Sequence, residues 1–568
     1  MKLKEYFQAH FATKADAETP FELENAPEFV RLLKRMSESS EINSEPPTKN
    51  EIVDTLKTLN AYKSSNDLPV AYIKYAVQCD RVLEELEKLF RLIWATEKQP
   101  SKWGNSKLVT LWKGAEKGKI TDPKAYRGIQ VGSALCKIMV AIILNRLKQW
   151  YNLQLCDQQQ GFRQGRGTTD AIFILKRVQQ ICKKGKKKVY ALFIDLTAAF
   201  DHVNRKWMFQ SILQRLPEGN NKKMFRILQS IYAYTTTALS QCEEDVFEIL
   251  SGVRQGGPES PMLYNLYMDY VMRIFIAACT EANINFFKTS YCIPGPARTQ
   301  KQGVLGKFGS VTVDWLGYAD DLVLLFKDLS SLQKGLNLLN ETFRRYQLEI
   351  NTDKTKTMIL NFDGEYPDSI SNLEGNVIDN VKIFRYLGCK IHYKQETTGD
   401  DELSLRKESA SCRLYALSKK FFNRKIILAT RVQLLNSLVR TRLTYSCPTW
   451  CLTKAQMDEI SAEYVTTLRK LMRNGFKRKE DSYAFVYTNK QVYELCRTTP
   501  LYEYVAIQQR SYLAHIIRQD DNMIAKKLLF DNEPRHTHGR SITLMQTVME
   551  NENCTKAHLM YRAMNRTY

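Results

Sequence analysis

Two aspartates stand side by side in Trp315-Leu316-Gly317-Tyr318-Ala319-Asp320-Asp321-Leu322-Val323-Leu324-Leu325-Phe326, between two apolar runs. Both flanks are rich in β-branched and aromatic residues, so the stretch reads as a β-hairpin with Tyr-Ala-Asp-Asp at or beside its tip. Adjacent like charges repel, and an arbitrary Asp-Asp is most often an acidic turn, because Asp forms turns readily. A further carboxylate in the same context lifts this pair above that reading. Phe193-Ile194-Asp195 follows the apolar run 189–194 and again puts an Asp at the end of a strand. Neighbouring strand residues point to opposite faces, so carboxylates at adjacent strand ends can aim their oxygens at one point. Such a group suits hard divalent cations, which prefer oxygen ligands. Two such ions about 3.5–4 Å apart serve in-line phosphoryl transfer.

The chain that must position these groups has 568 residues, enough for roughly two to four domains and a large core. Hydrophobic residues make up 44% and charged residues 25%, an ordinary globular balance, but the net charge is +22. So basic a protein meets a polyanion, either nucleic acid or an anionic membrane. No uninterrupted apolar run approaches the roughly 20 residues of a membrane span. The longest candidate, 134–144, is broken by Lys137, and the start Met1-Lys2-Leu3-Lys4-Glu5 has no apolar signal core. Both weigh against the membrane. The 13 Cys are scattered without a Cys-x-x-Cys, and Cys447-x-x-x-Cys451 has no second pair nearby. Reduced, intracellular thiols are expected rather than disulfides or a zinc site. Aromatics at 11%, with 29 Tyr, suit base stacking, though core packing accounts for most Tyr in any protein.

Residues 1–50 read as one or two short helices and a linker ending in Ser44-Glu45-Pro46-Pro47-Thr48. Helical spacing begins with Ile52, Val53, Leu56 and Leu59 and resumes, after Lys63-Ser64-Ser65-Asn66-Asp67, as far as Leu92. A strand over 103–111, a basic loop over 113–119 and a helix over 134–150 follow. Gln160-Gly161-Phe162-Arg163-Gln164-Gly165-Arg166-Gly167-Thr168-Thr169-Asp170 is a glycine-punctuated basic loop opening a helix. It could approach a phosphate or be a plain helix start. The lysine-rich run 183–188 reads as a solvated loop that can also touch a phosphate backbone. Helices are expected over 203–216 and 221–234. In the loop from Gly252 to Pro261, Ser260 can cap a helix with Pro261 at its first position. That helix carries Leu263, Leu266, Tyr267, Tyr270, Val271 and Ile274 on one face. Residues 286–310 read as a long loop, 332–346 as an amphipathic helix, and 348–358 as a turn into a strand. A single strand is expected over 384–391, basic helices over 403–473 and short helices over 480–530. The residues beyond look loosely organised.

Three of these words resemble, in order, motifs A, B and C of reverse transcriptases: Phe193-Ile194-Asp195-Leu196-Thr197-Ala198-Ala199-Phe200-Asp201, Gly252-Val253-Arg254-Gln255-Gly256 and Tyr318-Ala319-Asp320-Asp321. Tyr126-Arg127-Gly128-Ile129, Gly161-Phe162-Arg163, Ser260-Pro261-Met262-Leu263-Tyr264-Asn265 and Phe384-Arg385-Tyr386-Leu387-Gly388 narrow the resemblance to LINE-type, non-long-terminal-repeat retrotransposon polymerases. It spans residues 50–395 and continues more weakly to 520. The resemblance implies an α+β right-hand polymerase with fingers, palm and thumb, an antiparallel palm sheet bearing Asp195, Asp320 and Asp321, and a helical C-terminal region. The division it suggests is a partly disordered N-terminal extension (1–50), a helical start of the fingers (51–94) and fingers and palm (95–395). A basic helical thumb (396–475) and a helical C-terminal region with a loose tail (476–568) complete it.

Residue by residue, the resemblance implies that Asp195 and Asp320 hold two Mg²⁺ ions, with Asp321 as the second acid of motif C. Phe200 falls where relatives carry an aromatic steric gate against a ribose 2′-hydroxyl; its bland alternative is a core Phe. Gln255 would contact the incoming nucleotide and template pair. Arg127 would grip the triphosphate, with Lys113 a weaker candidate. Lys354 matches a lysine proposed to protonate pyrophosphate; Lys356 is equally near, and a surface lysine is the bland alternative for both. Gly257 and Glu259 depart from the Asp and Leu of many relatives, and 63–69 lacks their Pro-Gly-x-Asp-Gly. With no room for an endonuclease before residue 50 and no trusted metal or nuclease pattern downstream, the chain is expected to be the polymerase segment of an element: a truncated copy, a fragment or a domesticated gene.

The expected activity is RNA-directed DNA polymerisation, with an RNA template, a DNA primer or target, deoxynucleoside triphosphates and no membrane. The oligomeric state stays open. Location is expected to be nuclear if the protein acts at chromosomal DNA, otherwise a cytoplasmic ribonucleoprotein. The alternative is a catalytically silent, retrotransposon-derived nucleic-acid-binding protein. An RNA-dependent RNA polymerase is a distant third, opposed by Phe200. Intact Asp195, Asp320 and Asp321 favour the active reading. The basic residues at 183–188 and between Arg406 and Arg473 are expected to line the path of the template–primer duplex.

Overall fold

The structure is a computed structural model and describes residues 2–12, 42–216, 221–239, 242–295, 306–394, 399–473, 475–478, 485–532, 534 and 543–565. Its centre is the strand Val189–Ile194, nearly all of it buried. It pairs antiparallel with Asp321–Phe326 on one side and with Lys356–Leu360 on the other, and Trp315–Tyr318 extends the sheet beyond Asp321–Phe326. Alternate residues feed two separate cores, as the two-residue period of a strand requires. Leu192, Ile194, Leu322, Leu324 and Phe326 face a core shared with the helices Ser260–Glu281 and Leu329–Arg345. Ala191, Phe193, Val323, Leu325 and Met358 face a core shared with Thr168–Lys184 and Leu501–Arg518. A sheet covered on both faces explains why its strands are continuous apolar runs rather than alternating ones.

A second sheet orders Tyr126–Val131, Asn105–Trp112, Thr236–Leu239 and Cys242–Glu248 side by side. Asn105–Trp112 runs parallel to Thr236–Leu239, and the outer pairs are antiparallel. The helix Lys2–His10 lies against it, with Phe7 and Phe11 clustered with Leu108, Phe247 and Ile249. The helix Lys2–His10 thus packs on this sheet; of the short helices and linker expected over 1–50, residues 13–41 lie outside the described residues, and the linker's end at 42–48 is neither helix nor strand.

Five other expectations differ from the structure. The long loop at 286–310 is instead a ribbon of Phe287–Ile293 paired with Lys307–Val313, in register from Phe287–Val313 to Ile293–Lys307. Pro294 and Pro296 between the strands disguise it; residues 296–305 lie outside the described residues. The single strand at 384–391 is a hairpin, Ile383–Tyr386 and Cys389–His392, turning at Leu387-Gly388 with both residues at positive φ. That is the backbone of a primed two-residue turn, which matches the strand twist. Ser260 is not a cap: its hydroxyl donates to the Arg254 carbonyl at 2.7 Å and Glu259 takes the cap position, with Pro261 still in the first turn. The tail is not loose between residues 543 and 565. The helices Leu544–Asn551 and Lys556–Met564 bury Leu544, Val548, Leu559, Met560 and Ala563 in the core on the Phe193 side of the central sheet. A third core starts at Leu403 and runs to Val505, past the boundary expected at 475, because the helix Asn489–Cys496 and the start of Leu501–Arg518 complete it. The onset expected at 396 falls on residues 395–398, outside the described residues.

One buried charge cluster ties the central parts together. Asp269, fully buried on Ser260–Glu281, accepts from Arg215 at 3.0 Å, from Arg273 at 2.8 Å and from the Cys156 backbone N–H at 2.8 Å. Burial alone would lift its carboxyl, but Arg273 and Arg215 overcome that and hold it below the ordinary value. Removing one partner of a buried ion group leaves the others uncompensated, typically at about 3–5 kcal/mol. Asp269→Ala is therefore expected to destabilise the protein by about that amount in urea unfolding followed by circular dichroism. A variant as stable as the parent refutes the role of this cluster.

Candidate active site

The 318–321 turn closes the hairpin of the central sheet: Tyr318 pairs with Asp321, and Ala319, at φ 59, and Asp320 make the tip. Ile194 lies opposite Leu322, so Asp195 and Asp321 emerge at the same end of adjacent strands. Asp195 is also tied to the loop before Lys356–Leu360. Its carbonyl accepts from the Asn351 N–H at 2.9 Å and its own N–H donates to Thr355 Oγ1 at 3.3 Å. The Asp320 carboxyl is raised, by burial and by the Asp195 charge, with Arg127 pulling the other way. Asp321 is pushed up to about 6, by burial and then by Asp320 and Asp195. Asp320 and Asp321 thus feel the neighbouring carboxylates on top of their own burial.

Among the described residues no three acidic, histidine or cysteine side chains close around a cation unaided. The donor set still fits Mg²⁺, which typically takes one or two carboxylates and completes its shell with substrate phosphates and water. The raised Asp320 and Asp321 carboxyls record burial first and neighbouring negative charge second, and a divalent cation would offset both.

Three cations converge on the same space. Lys354 Nζ donates to Asp195 Oδ2 at 3.2 Å. Lys356, the equally near alternative in sequence, is drawn elsewhere, to Asp379 at 2.7 Å and the Asp353 carbonyl at 2.6 Å. The Lys113 ammonium is lowered, by burial and by Arg127 and Lys354, against the pull of Asp201 and Asp122. Arg127 stands on Tyr126–Val131 opposite Leu111, exposed, with its charge felt at Asp320.

Phe200 is half-buried and its ring stacks on Tyr264, centroids 4.2 Å apart and 14° from parallel. The Tyr264 hydroxyl is buried with no hydrogen-bond partner among the described residues, and it is raised by burial and then by Asp320 and Asp321. Phe200 therefore stands on a ring whose hydroxyl lies close to the carboxylates. Gln255 receives the Gln130 N–H at its carbonyl at 2.6 Å, and its amide reaches Asp201 at 3.4 Å. Two residues that sequence reasoning passed over complete this corner: Asp201 accepts from Gln255 and contacts His10 Nε2 at 3.0 Å. Asp201 stood within the quoted motif word, whereas His10 had no signal beyond the Phe7–Phe11 spacing. The two departures from the family pattern go together, since a Cβ at Gly257 would come 2.6 Å from Glu259 Oε1.

Other basic candidates are committed elsewhere. Arg163 donates to the Cys156, Gln159 and Asn152 carbonyls, Arg166 pairs with Asp157, and Asp170 already accepts the Gly167 N–H at the helix start. The 160–170 loop is thus a self-satisfied strap rather than a phosphate cradle. The lysines at 183–188 precede Val189–Ile194, so they sit about 20 Å of strand away from Asp195, and Lys184 pairs with Asp531. Arg406 and Arg431 are buried, on Glu402 and on the Ile426, Phe421 and Leu471 carbonyls. Lys419, Lys420, Arg424 and Lys425 are exposed together, flanked by exposed Tyr415 and Phe422, and Arg442, Lys454, Lys470 and Arg473 are further exposed cations of that region.

Residues 115–391 match the family described as reverse transcriptase (RNA-dependent DNA polymerase). The chain is 28% identical over 253 residues, 44% of its length, to a 115 kDa protein of the type-1 retrotransposable element R1DM of Drosophila melanogaster. It is 25% identical over 317 residues, 54% of its length, to the retrovirus-related Pol polyprotein of the type-1 retrotransposable element R2 of Nasonia vitripennis. It is 24% identical over 350 residues, 60% of its length, to the RNA-directed DNA polymerase of transposon BS of Drosophila melanogaster. The matched stretches cover 24%, 28% and 35% of those relatives, so the chain spans about a quarter to a third of their length.

The burial and charge crowding at Asp321 have a measurable signature. Asp321 holds its proton more tightly folded, at about 6, than an ordinary aspartate does at about 3.9. Its contribution to stability is therefore present at low pH and lost as pH rises from about 4 through about 6. In metal-free buffer Asp321→Asn is expected to melt about 2–4 °C above the parent at neutral pH, with the gap closing as pH falls below 5. Scanning fluorimetry reads this directly; a variant that melts lower at neutral pH contradicts it.

Proposed function

We propose that this chain, whose residues 115–391 are a reverse transcriptase domain of the non-long-terminal-repeat retrotransposon type, is an RNA-directed DNA polymerase extending a DNA primer on an RNA template. The observation that carries the reading is the convergence of Asp195, Asp320 and Asp321 at adjacent strand ends with Lys113, Arg127 and Lys354 beside them. In this reading the fold is the right-hand polymerase. The Val189–Ile194 sheet is the palm, the Asn105–Trp112 sheet belongs to the fingers, and the helices from Asp400 onward form the thumb.

Asp195, Asp320 and Asp321 would hold two Mg²⁺ ions, whose charge would activate the primer hydroxyl and neutralise the triphosphate. The chain's own residues do the rest. Arg127 and Lys113 hold the triphosphate from the fingers side. The lowered Lys113 ammonium reflects burial first and then a crowd of cations that an anionic substrate would balance. Lys354 reaches the Asp195 carboxylate from a turn fixed to Asp195 and is placed to give a proton to the departing pyrophosphate. Phe200, backed flat by Tyr264, has no room to retreat before a ribose 2′-hydroxyl and so selects deoxynucleotides. Gln255 lies under the nascent base pair, steadied by Asp201. Lys419, Lys420, Arg424 and Lys425 meet the duplex backbone through contacts that carry no base information. The protein would work in the nucleus if its primer is chromosomal DNA, otherwise in a cytoplasmic ribonucleoprotein.

Primer extension on an RNA template with deoxynucleotides and Mg²⁺ tests the reading. Asp195→Asn and Asp320→Asn are each expected to lower extension by roughly 100-fold or more while template–primer affinity stays within about twofold. Substantial extension by Asp320→Asn refutes the site, and a parent that binds duplex without extending it favours the silent alternative.

The same assay reads sugar selection. Phe200→Ala is expected to raise ribonucleotide use relative to deoxynucleotide by roughly tenfold or more, since discrimination rests on one hydroxyl. An unchanged ratio makes Phe200 a core residue.

A further inference from the structure

The Tyr-Ala-Asp-Asp turn does not stand free. Residues 158–161 run alongside it: the Gly317 N–H donates to the Gln158 carbonyl at 3.0 Å and the Gln160 N–H to the Gly317 carbonyl at 2.8 Å. Between these two bonds the fully buried Gln159 side chain reaches the tip. Its Oε1 accepts the Ala319 N–H at 2.9 Å and the Gly161 N–H at 3.0 Å, and its Nε2 donates to the Ala319 carbonyl at 3.3 Å. One amide thus satisfies both main-chain groups of the residue directly before the carboxylate pair. Ala319 is in the left-handed region, φ 59, which a residue with a Cβ keeps only where its surroundings impose it. A Cβ at Gly161 would lie 2.5 Å from the Ala319 nitrogen, so strap and turn are in direct backbone contact. The strap is anchored in turn. The buried Asn265 side chain donates to the Gly161 carbonyl at 2.7 Å and to the Tyr151 hydroxyl at 2.8 Å, from the helix that also carries Tyr264 beneath Phe200.

We infer that Gln159 is a positioning residue for the reaction: its side-chain amide fixes the Ala319 backbone, and through it the placement of Asp320 and Asp321 relative to Asp195. An acceptor-only or apolar side chain cannot do this, because the Ala319 N–H needs an acceptor and the Ala319 carbonyl a donor, both out of reach of water. Asn265 and Gly161 extend the same device to the helix behind Phe200, so the carboxylates and the sugar gate share one buried polar support. The kinetic half of this inference rests on the polymerase reading above; the structural half does not.

Hydrogen exchange in metal-free, substrate-free protein separates the two. In Gln159→Met, similar in shape but lacking the amide, peptides containing Ala319 and Gly161 are expected to exchange at least tenfold faster, while peptides from the core between Leu403 and Val505 keep the parent rate. In primer extension the same variant is expected to lose about 10–100-fold in kcat, as outer-shell partners of a metal site typically do, and to need more Mg²⁺ for half-maximal rate. KM for the deoxynucleotide and template–primer affinity should stay within twofold. Gly161→Ala, which keeps Gln159 but pushes the strap from the turn, should reproduce both effects and covers the case in which the methionine variant folds poorly. Parent-like exchange at Ala319 in the two variants, or faster exchange spread evenly over the chain, overturns the assignment. If the parent itself does not extend primers, the exchange result still decides whether Gln159 holds the turn.

Discussion

A pair of partly buried carboxylates beside a further aspartate is an arrangement a flexible chain would relax away. Asp195, Asp320 and Asp321 stay together because they project from strands whose remaining side chains are locked into two separate cores. The apolar burial of Leu192, Ile194, Val323 and Leu324 opposes the repulsion at the strand ends. The nearby cations Lys354, Arg127 and Lys113 offset part of it without cancelling it. A site left with unbalanced negative charge in the absence of substrate is one whose electrostatics favour a metal–triphosphate complex on arrival.

The basic composition is divided between two uses. Many of the arginines are interior braces rather than a nucleic-acid surface. Arg205 donates to the Gly252 and Ile249 carbonyls and to Thr235, and Arg469 to the Gly475 and Tyr487 carbonyls and Asn489. Arg163 and Arg431 do the same for their own loops. A planar guanidinium with five donors can satisfy several main-chain carbonyls where loops meet. The surface excess is carried more by lysines and by arginines at loop tips, and the segment 415–427 combines these with exposed Tyr415, Phe422 and Ile427. Net charge alone could not distinguish a brace from a contact.

Legibility followed the range of the interactions involved. The strand Val189–Ile194 and the hairpin around 319–320 were readable because a sheet buried on both faces writes itself as uninterrupted apolar runs with a turn between them. The 287–313 ribbon was not, because prolines in the connection between its strands mimic a loop. The 383–392 hairpin hid because Leu387-Gly388 lacks the Asn-Gly or Asp-Gly signature of such turns. His10 beside Asp201 was beyond reach, since that contact joins residues 191 apart. Gln159 lay inside a loop whose glycines and arginines suggested phosphate; its partner is backbone, and backbone partners leave no trace in side-chain spacing.

The pairing order of the central sheet sets a schedule for folding on the ribosome. The strand that carries Asp195 is synthesised long before either of its neighbours, Asp321–Phe326 and Lys356–Leu360. Until residue 326 has emerged a strand apolar on both faces has no partner, its second edge stays open until residue 360, and its Phe193 face is sealed only when the helices ending at Met564 arrive. Such late, distant closure slows folding and leaves an aggregation-prone edge exposed meanwhile. A chain interrupted before Leu544–Asn551 and Lys556–Met564 would leave the Phe193 face of its central strands uncovered.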